Sequence, residues 1–228
     1  MGETLSIDFD RPLPLFPLKN CVLLPHATIP LHIFETRYRK MTQDALDSHR
    51  LIAMALFDEN DWDEQYGNPP LRGHVCVGHI VQHAPLSDGR FHLLLQGVCR
   101  AEIVDEVPND PYRLAILRPT ETHAVMEIDL GEQRVRIEQL LCDPMLKQLA
   151  SVNAIHNWLS GEIPTAALVD LAIMTVCDDV EQRYGLLAES NVHHRARWLE
   201  KHLHLTRHSV KMAQRFGNGK SEEGINLN

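Results

Sequence analysis

Histidine offers the most conspicuous potential chemistry in this sequence, because the chain has 14 histidines among 228 residues. His204 and His208 are four residues apart in a segment with helical periodicity, so their rings would share one helix face and could begin a zinc site. A zinc site needs further protein ligands of fixed geometry, and no set of cysteines and histidines with ligand spacing accompanies this pair. We therefore predict no metal ion and no other cofactor, and interpret His79 and His83 as structural.

Nucleotide and hydrolase chemistry would require motifs that the sequence does not contain. The stretch GNGKS at 217–221 ends like a phosphate-binding P-loop, but the position of the earlier glycine is occupied by Gln214 and no strand precedes it. There is no G-x-S-x-G, no H-E-x-x-H and no G-x-G-x-x-G after a predicted strand. We predict no catalytic residues, and we expect the purified chain neither to hydrolyse ATP nor to cleave casein.

Exposed aromatic residues are the remaining signal for binding. The segment 58–73, DENDWDEQYGNPPLRG, is acidic, rich in turn formers and long for a simple connection. It carries Trp62, Tyr66, Pro69 and Pro70, which we predict to form a protein-binding surface, since aromatic residues on long loops are common at interfaces. The alternative is that Trp62 only packs the loop onto the core.

Charge is distributed unevenly along the chain. The formal net charge is −9, which disfavours nonspecific binding to nucleic acid or anionic membranes. Residues 192–220, in contrast, contain seven Lys or Arg residues and one acid, Glu200. This basic segment keeps an RNA- or DNA-binding function open as an alternative. The other interpretation is a solvated basic helix face.

The elements that would position these residues follow a strand-then-helix order. Prolines at 14, 17, 25 and 30 exclude a helix from 13 to about 31 and predict short extended pieces at Leu13–Leu15, Cys21–Leu24 and Ile29–Ile33. Helical spacing then predicts a helix of about four turns from Phe34 to near Ser48. Strands are predicted at 51–57, 74–84, 91–104 and 112–119, with a hairpin turn at 87–90 and a bulge at Gly97. The predicted core comprises Phe34, Tyr38, Leu51–Phe57, Val75, Val77 and Leu93–Leu95.

After about residue 124 the pattern becomes helical. Helices are predicted to about Leu141, over 149–159, 163–177 and 180–187, and from a cap at Ser190 or Asn191 to about Phe216. We expect a β-rich subdomain at 11–122, a helical subdomain at 123–216 and a disordered tail at 217–228. Five widely spaced cysteines without C-x-x-C, no signal peptide and no long apolar run predict a cytoplasmic protein.

Several of these segments resemble the N-terminal substrate-binding domain of Lon proteases. The opening PLFPLKNCVLLPHATIPLHIFETRYRKMTQDAL resembles the start of that domain, with its L-x-I/V-F-E-x-R-Y pattern at Leu31, Ile33, Phe34, Glu35, Arg37 and Tyr38. VGHIVQ at 77–82, LLLQGVCRAEI at 93–103, with Leu95, Gly97 and Arg100, and DPYRLAILRP at 110–119 are similar to later strands. LLAESNVHHRARWLEKHL at 186–203 resembles the end of the helical part, so the resemblance spans roughly residues 11–205.

The resemblance implies an α+β fold, a PUA-like small β-barrel with a packed helix followed by an all-helical subdomain. It implies a non-catalytic recognition module that binds unfolded or degron-bearing polypeptide or a protein partner. Lon proteases continue into an ATPase module with a true P-loop and a Ser-Lys peptidase domain, and we expect this chain of 228 residues to lack both. The motif residues are expected to determine the fold and not to contact a ligand.

Overall fold

Two compact units make up the structure, a computed structural model that describes residues 6–58, 69–120, 125–159 and 163–218. The first unit, the strand-rich unit, comprises the described residues from 6 to 120 together with Cys177–Ser190. The second, the helical unit, comprises Val125–Val176 and the residues from 191 to 218 that are described. The chain therefore leaves the strand-rich unit and returns to it once.

The strand-rich unit contains six strands and two helices in its described part. In chain order these are β1 (Leu13–Leu18), β2 (Thr28–Ile33), α1 (Thr36–Leu46), β3 (Leu51–Leu56), β4 (His74–Pro85), β5 (Phe91–Val107), β6 (Leu114–Pro119) and α5 (Val180–Ala188). The strand order is β2-β5-β4-β3-β1-β6, and β1 and β3 are the one parallel pair among these pairings. The α+β class predicted from sequence is confirmed.

The strand pairings form a closed circuit, because β5 is 17 residues long and can pair with different strands along its two halves. Its first half pairs with β2 and its second half with β6, while β6 also pairs with β1. The circuit β1-β3-β4-β5-β6 surrounds a cluster of buried side chains in which four alanines leave room for larger neighbours. The cluster contains Leu13, Leu15, Leu51, Ala53, Ala55, Val75, Val77, Ala101, Ala115 and Leu117.

Local sequence signals account for the β4–β5 hairpin. Gly89 has φ +79°, the left-handed conformation that the Asp88-Gly89 turn requires, and Leu86 and Arg90 are joined by a backbone hydrogen bond of 2.8 Å. The irregularity predicted at Gly97 is present, since Val77 pairs with Cys99 and Gly78 pairs with Gly97. One extra residue on β5 thus bends the hairpin at this point.

Phe34 is the clearest error in the predicted core. Its side chain is 61% exposed, whereas Tyr38 is buried. The helix begins at Thr36 and ends at Leu46, so Phe34 continues the two-residue alternation of β2 and shares the exposed face of His32, whose ring lies 6.0 Å away. Phe57 and Leu94 are half-buried instead of fully buried. Cys21–Leu24, predicted to be extended, forms no strand.

The helical unit consists of four helices and a short 3-10 turn within its described part. These are α2 (Glu127–Leu141), the turn at Leu146–Gln148, α3 (Ala150–Leu159), α4 (Thr165–Val176) and α6 (Val192–Asn218). Asn191 caps α6 as predicted, because its Oδ1 accepts a hydrogen bond from the His193 amide at 2.9 Å. Inside the unit, Arg195 of α6 donates to Asp170 of α4 at 3.0 Å, and both side chains are almost fully buried.

Among the residues that the structure describes, no helix combines the length and the hydropathy that a membrane span would need. The subdomain boundaries at 122 and 123 and the disordered tail at 217–228 stay predictions.

Candidate binding cleft in the strand-rich unit

The strand-rich unit contains a cleft of about 620 Å³. It lies where the end of β1, the start of α1, the end of β3 and the β5–β6 connection meet. This volume is within the range of roughly 300–1,000 Å³ that is usual for ligand pockets. Its lining combines aromatic rings, prolines and charges of both signs: Pro17, Leu18, Lys19, Glu35, Arg37, Tyr38, Phe57, Pro69, Asn109, Asp110, Pro111, Tyr112 and Arg113.

The end of β1 forms one wall because its neighbour β6 stops early. The β6 pairing reaches only Leu13 and Pro14, whereas β3 pairs with β1 as far as Leu18. At Pro17 the strand therefore has a partner on one side only, and proline, which has no amide hydrogen, fits such a position. The other side of β1 is unpaired at this point and faces the cleft.

The first turn of α1 supplies the second wall. Tyr38 is buried and its ring packs edge-on against Phe16, with 4.7 Å between ring centroids. The guanidinium of Arg37 lies 4.6 Å above the Tyr38 ring and donates to Glu35 at 2.9 Å. Burial raises the pKa of the Tyr38 phenol, and the Arg37 cation opposes this shift. Tyr38 thus presents a neutral aromatic surface at neutral pH.

Arg113 fixes the third wall. Its guanidinium forms a two-point ion pair with Glu106, at 2.7 and 2.5 Å, and donates a further hydrogen bond of 2.7 Å to the carbonyl oxygen of Pro69. Arginine suits this position because its planar fork can bind a carboxylate and a carbonyl together. Arg113 therefore ties Pro69 to the β5–β6 connection.

Tyr112 is held at the edge of the cleft by a hydrogen bond to α1. Its hydroxyl donates to Asp44 Oδ2 at 2.8 Å. Partial burial, followed by this hydrogen bond and the negative charge of Asp44, raises the pKa of Tyr112 to about 12. The pKa of Asp44 is lowered, mainly by its hydrogen bond with Lys40 and further by Tyr112. Tyr112 is therefore a neutral hydrogen-bond donor at neutral pH and is unsuited to act as a general base.

We expect an absorbance titration to identify Tyr112 as a phenol that ionises near pH 12. In the Tyr112→Phe variant this late transition should be missing, and stability should fall by about 1 kcal/mol because one hydrogen bond to a carboxylate is lost. Tyr184→Phe, which changes another partly buried phenol, is the control. A Tyr112→Phe protein that retains the transition near pH 12 would contradict the assignment.

Two of the four predicted binding residues lie in the described structure. Pro69 is half-buried and lines the cleft, and Pro70 is exposed, with its carbonyl oxygen accepting a hydrogen bond of 2.9 Å from the Asp58 amide. Trp62 and Tyr66 lie outside the described residues. Whether these four residues bind protein stays a prediction.

Several lining residues were not singled out by the sequence. Tyr112 and Arg113 were assigned to a strand, but β6 begins at Leu114 and both residues precede it. The preceding Asn109, Asp110 and Pro111 are turn formers, and this signal could have shortened the strand. Glu35, Arg37 and Tyr38 were interpreted as determinants of the fold, and they also line the cleft.

Metal-ligating side chains do not converge in the part of the chain that the structure describes. No three His, Cys, Asp or Glu side chains there come close enough together to hold an ion. His204 and His208 instead line a groove of the helical unit with two cations, Arg207 and Lys211. The prediction that no metal is required stays a prediction.

Comparison with characterised proteins identifies Lon proteases as relatives. The chain is 23% identical to Lon protease of Desulfosudis oleivorans over 212 residues, which is 90% of this chain and 25% of that protein. It is 28% identical to Lon protease of Trichlorobacter lovleyi over 153 residues, or 66% of this chain and 18% of that protein. The chain thus spans about a quarter or less of the length of these relatives.

Solved structures show the same fold. The N-terminal domain of the Mycobacterium avium complex Lon protease superposes with a TM-score of 0.64 at 16% identity, covering 85% of this chain and 98% of that one. A Lon N-terminal domain protein from Xanthomonas campestris superposes with a TM-score of 0.57 at 23% identity, covering 83% and 96%. The family model of the substrate-binding domain of the ATP-dependent protease La (LON) matches residues 12–204. This chain therefore belongs to the Lon substrate-binding domain family.

Proposed function

We propose that this chain is a non-catalytic recognition module that binds extended or unfolded polypeptide through the cleft of the strand-rich unit. The observation that carries this proposal is the cleft's lining, in which three aromatic residues and three prolines surround one open side of β1. Such a lining offers apolar area to side chains and carries none of the catalytic groupings that a hydrolase needs.

The charges of the cleft favour binding over chemistry. Arg37 is paired with Glu35, and Arg113 is paired with Glu106, so these cations are partly neutralised by their own neighbours. A bound segment would therefore gain mainly from apolar and aromatic contacts, with the paired charges setting its orientation. Because Pro69 lies in the cleft wall, the acidic segment that carries Trp62 and Tyr66 would add further aromatic contacts and favour basic, apolar clients.

Two finer features belong to this proposal. The strand-rich unit would be the PUA-like small β-barrel that the family resemblance implies, with α1 packed beside it, and the closed circuit of strands supports this assignment. The protein acts in the cytoplasm, where unfolded or degron-bearing chains are available. Its role would be to present such chains to a protease, either within a longer polypeptide or as a separate partner.

Binding of reduced, carboxymethylated lactalbumin, a permanently unfolded probe, tests the cleft. Phe57 lines the cleft and is half-buried, so we expect Phe57→Ala to weaken binding by about tenfold or more, as aromatic anchors at interface centres do. Phe34→Ala is the matched control, because it removes the same side chain from an exposed site outside the cleft lining. Affinity is measured by fluorescence anisotropy, and a thermal melt of each variant confirms that it is folded.

A second pair of substitutions tests the acidic segment. We expect Trp62→Ala with Tyr66→Ala to weaken binding while the melting temperature stays nearly unchanged. Combined with Phe57→Ala, the losses should be less than additive if both surfaces hold the same bound segment. Equal weakening by Phe34→Ala and Phe57→Ala would move the site to the β2 face, and full binding by every variant would overturn the proposal.

A further inference from the structure

A stripe of basic residues runs along α6 of the helical unit. Its members recur at intervals of four and three residues, the spacing that brings side chains onto one helix face. All of them are exposed: Arg197, Lys201, His204, His208, Lys211 and Arg215. At 1.5 Å per residue, this cationic stripe is about 27 Å long.

The opposite face of α6 accounts for the packing of the helix. Val192, Ala196, Leu199 and Leu203 are buried there. The one acid of the helix, Glu200, is paired with Arg136 of α2 at 3.3 Å, so it does not neutralise the stripe. Within the part of the chain that is described, no carboxylate lies within ion-pair distance of Lys201, Lys211 or Arg215. These three side chains therefore present uncompensated positive charge to solvent.

A groove beside the stripe already accommodates a carboxylate. It measures about 480 Å³ and is lined by Asp143, Met145, His204, Arg207, His208 and Lys211. Asp143 accepts a contact of 3.4 Å from Arg207 there, and its other oxygen accepts the Met145 amide at 2.8 Å. Arg207, which lies beside the stripe on α6, thus already faces a carboxylate of the helical unit.

Two exposed apolar residues beside the stripe favour an acidic protein helix over RNA as its partner. Leu205 is 59% exposed and Met212 is 37% exposed, and they lie seven residues apart along the flank of the stripe. An RNA strand would neutralise the basic side chains but would leave Leu205 and Met212 uncovered, and the stripe carries no Trp, Tyr or Phe to stack on its bases. A helix that carries carboxylates on one face and an apolar residue every seven positions would cover both features.

We propose that the cationic stripe of α6 docks an acidic amphipathic helix of a partner protein. The partner's carboxylates would recur at four- and three-residue intervals, and its apolar residues would cover Leu205 and Met212. This surface lies in the helical unit, whereas the polypeptide-binding cleft belongs to the strand-rich unit.

The probe is an acetylated 21-residue peptide made of three repeats of Glu-Ala-Leu-Glu-Gln-Ala-Gln. We expect it to bind the full chain with an affinity that falls steeply with added salt. A matched peptide with Gln at every Glu should bind at least tenfold more weakly. A mixed-sequence single-stranded RNA of 20 nucleotides is measured beside it, and sedimentation of the protein alone detects self-association.

Charge removal at the stripe tests the site itself. We expect the triple variant Lys201→Gln, Lys211→Gln and Arg215→Gln to weaken peptide binding at least tenfold, and Gln keeps a comparable helix propensity. The control is a second triple variant, Gln139→Glu, Asn153→Asp and Gln182→Glu, which lowers the net charge by the same amount at exposed positions outside the stripe. It should leave binding within about twofold. Leu205→Gln should weaken the peptide and leave RNA binding unchanged.

Three outcomes would overturn the proposal. Equal weakening by the stripe variant and the control would mean that net charge alone drives binding. Tighter binding of the RNA than of the acidic peptide would assign the stripe to nucleic acid. Self-association that the stripe variant abolishes would identify a second copy of this chain as the occupant.

Discussion

Replacing Asp170 with leucine is expected to destabilise the helical unit by about 3–5 kcal/mol. The substitution would remove the buried carboxylate that pairs with the Arg195 guanidinium, and breaking a buried ion pair by removing one partner carries a penalty of this size. Arg195 Nε and Asp170 Oδ1 are 3.0 Å apart, and their side chains are 2% and 1% exposed. Urea denaturation followed by circular dichroism measures the loss.

A second substitution distinguishes lost pairing from lost packing. Asp170→Leu combined with Arg195→Met removes both charges, and we expect it to recover most of the stability, because apolar residues of similar size often replace a buried ion pair without loss. Glu200→Gln breaks the partly exposed pair with Arg136 and should cost less than about 1 kcal/mol. A double variant no more stable than Asp170→Leu would show that the charge pair is not the cause.

Gly97→Ala is expected to destabilise the strand-rich unit by about 3 kcal/mol or more. A Cβ atom at this position would lie 2.2 Å from the backbone oxygen of Leu24, which cannot move aside as a side chain can. Two backbone hydrogen bonds of 2.8 Å, from His26 to Gly97 and from Gly97 to Ala27, hold the segments together and would be strained by any displacement.

Gly73→Ala is the matched control for this substitution. No heavy atom lies within 4 Å of the position that its Cβ would occupy, so we expect a change of less than about 0.5 kcal/mol. Thermal melts of both variants provide the comparison. Equal stability of the two variants would contradict the close approach of Leu24 to β5.

Much of the fold was predictable because its signals are local. The Asp88-Gly89 turn and the alternating residues around it predicted the β4–β5 hairpin, and the predicted cap at Ser190 or Asn191 placed the start of α6 correctly. Phe34 was misplaced because a helical spacing to Tyr38 and a strand spacing to His32 coexist at one position. Periodicity alone could not decide between the two spacings. The observed start of α1 at Thr36 shows that the strand spacing applies to Phe34.

The cleft was far less predictable because its walls come from five separate parts of the chain. Pro17, Tyr38, Phe57, Pro69 and Tyr112 meet only after the strand circuit has formed. Local sequence patterns do not predict which strand ends lie next to each other in the folded protein. The pairing of Asp170 with Arg195 is similar, since Arg195 belongs to a basic segment in sequence and its buried carboxylate partner comes from another helix.

The return of the chain to the strand-rich unit affects folding during synthesis. α5 belongs to that unit, and Leu186 supplies a carbonyl oxygen 3.5 Å from the buried guanidinium of Arg100 on β5. The ribosome makes α5 roughly 70 residues after β6, which at about 5–20 residues per second is a delay of roughly 3–14 seconds. During that interval the nascent strands would expose the surface that α5 later covers, which makes them a target for chaperones.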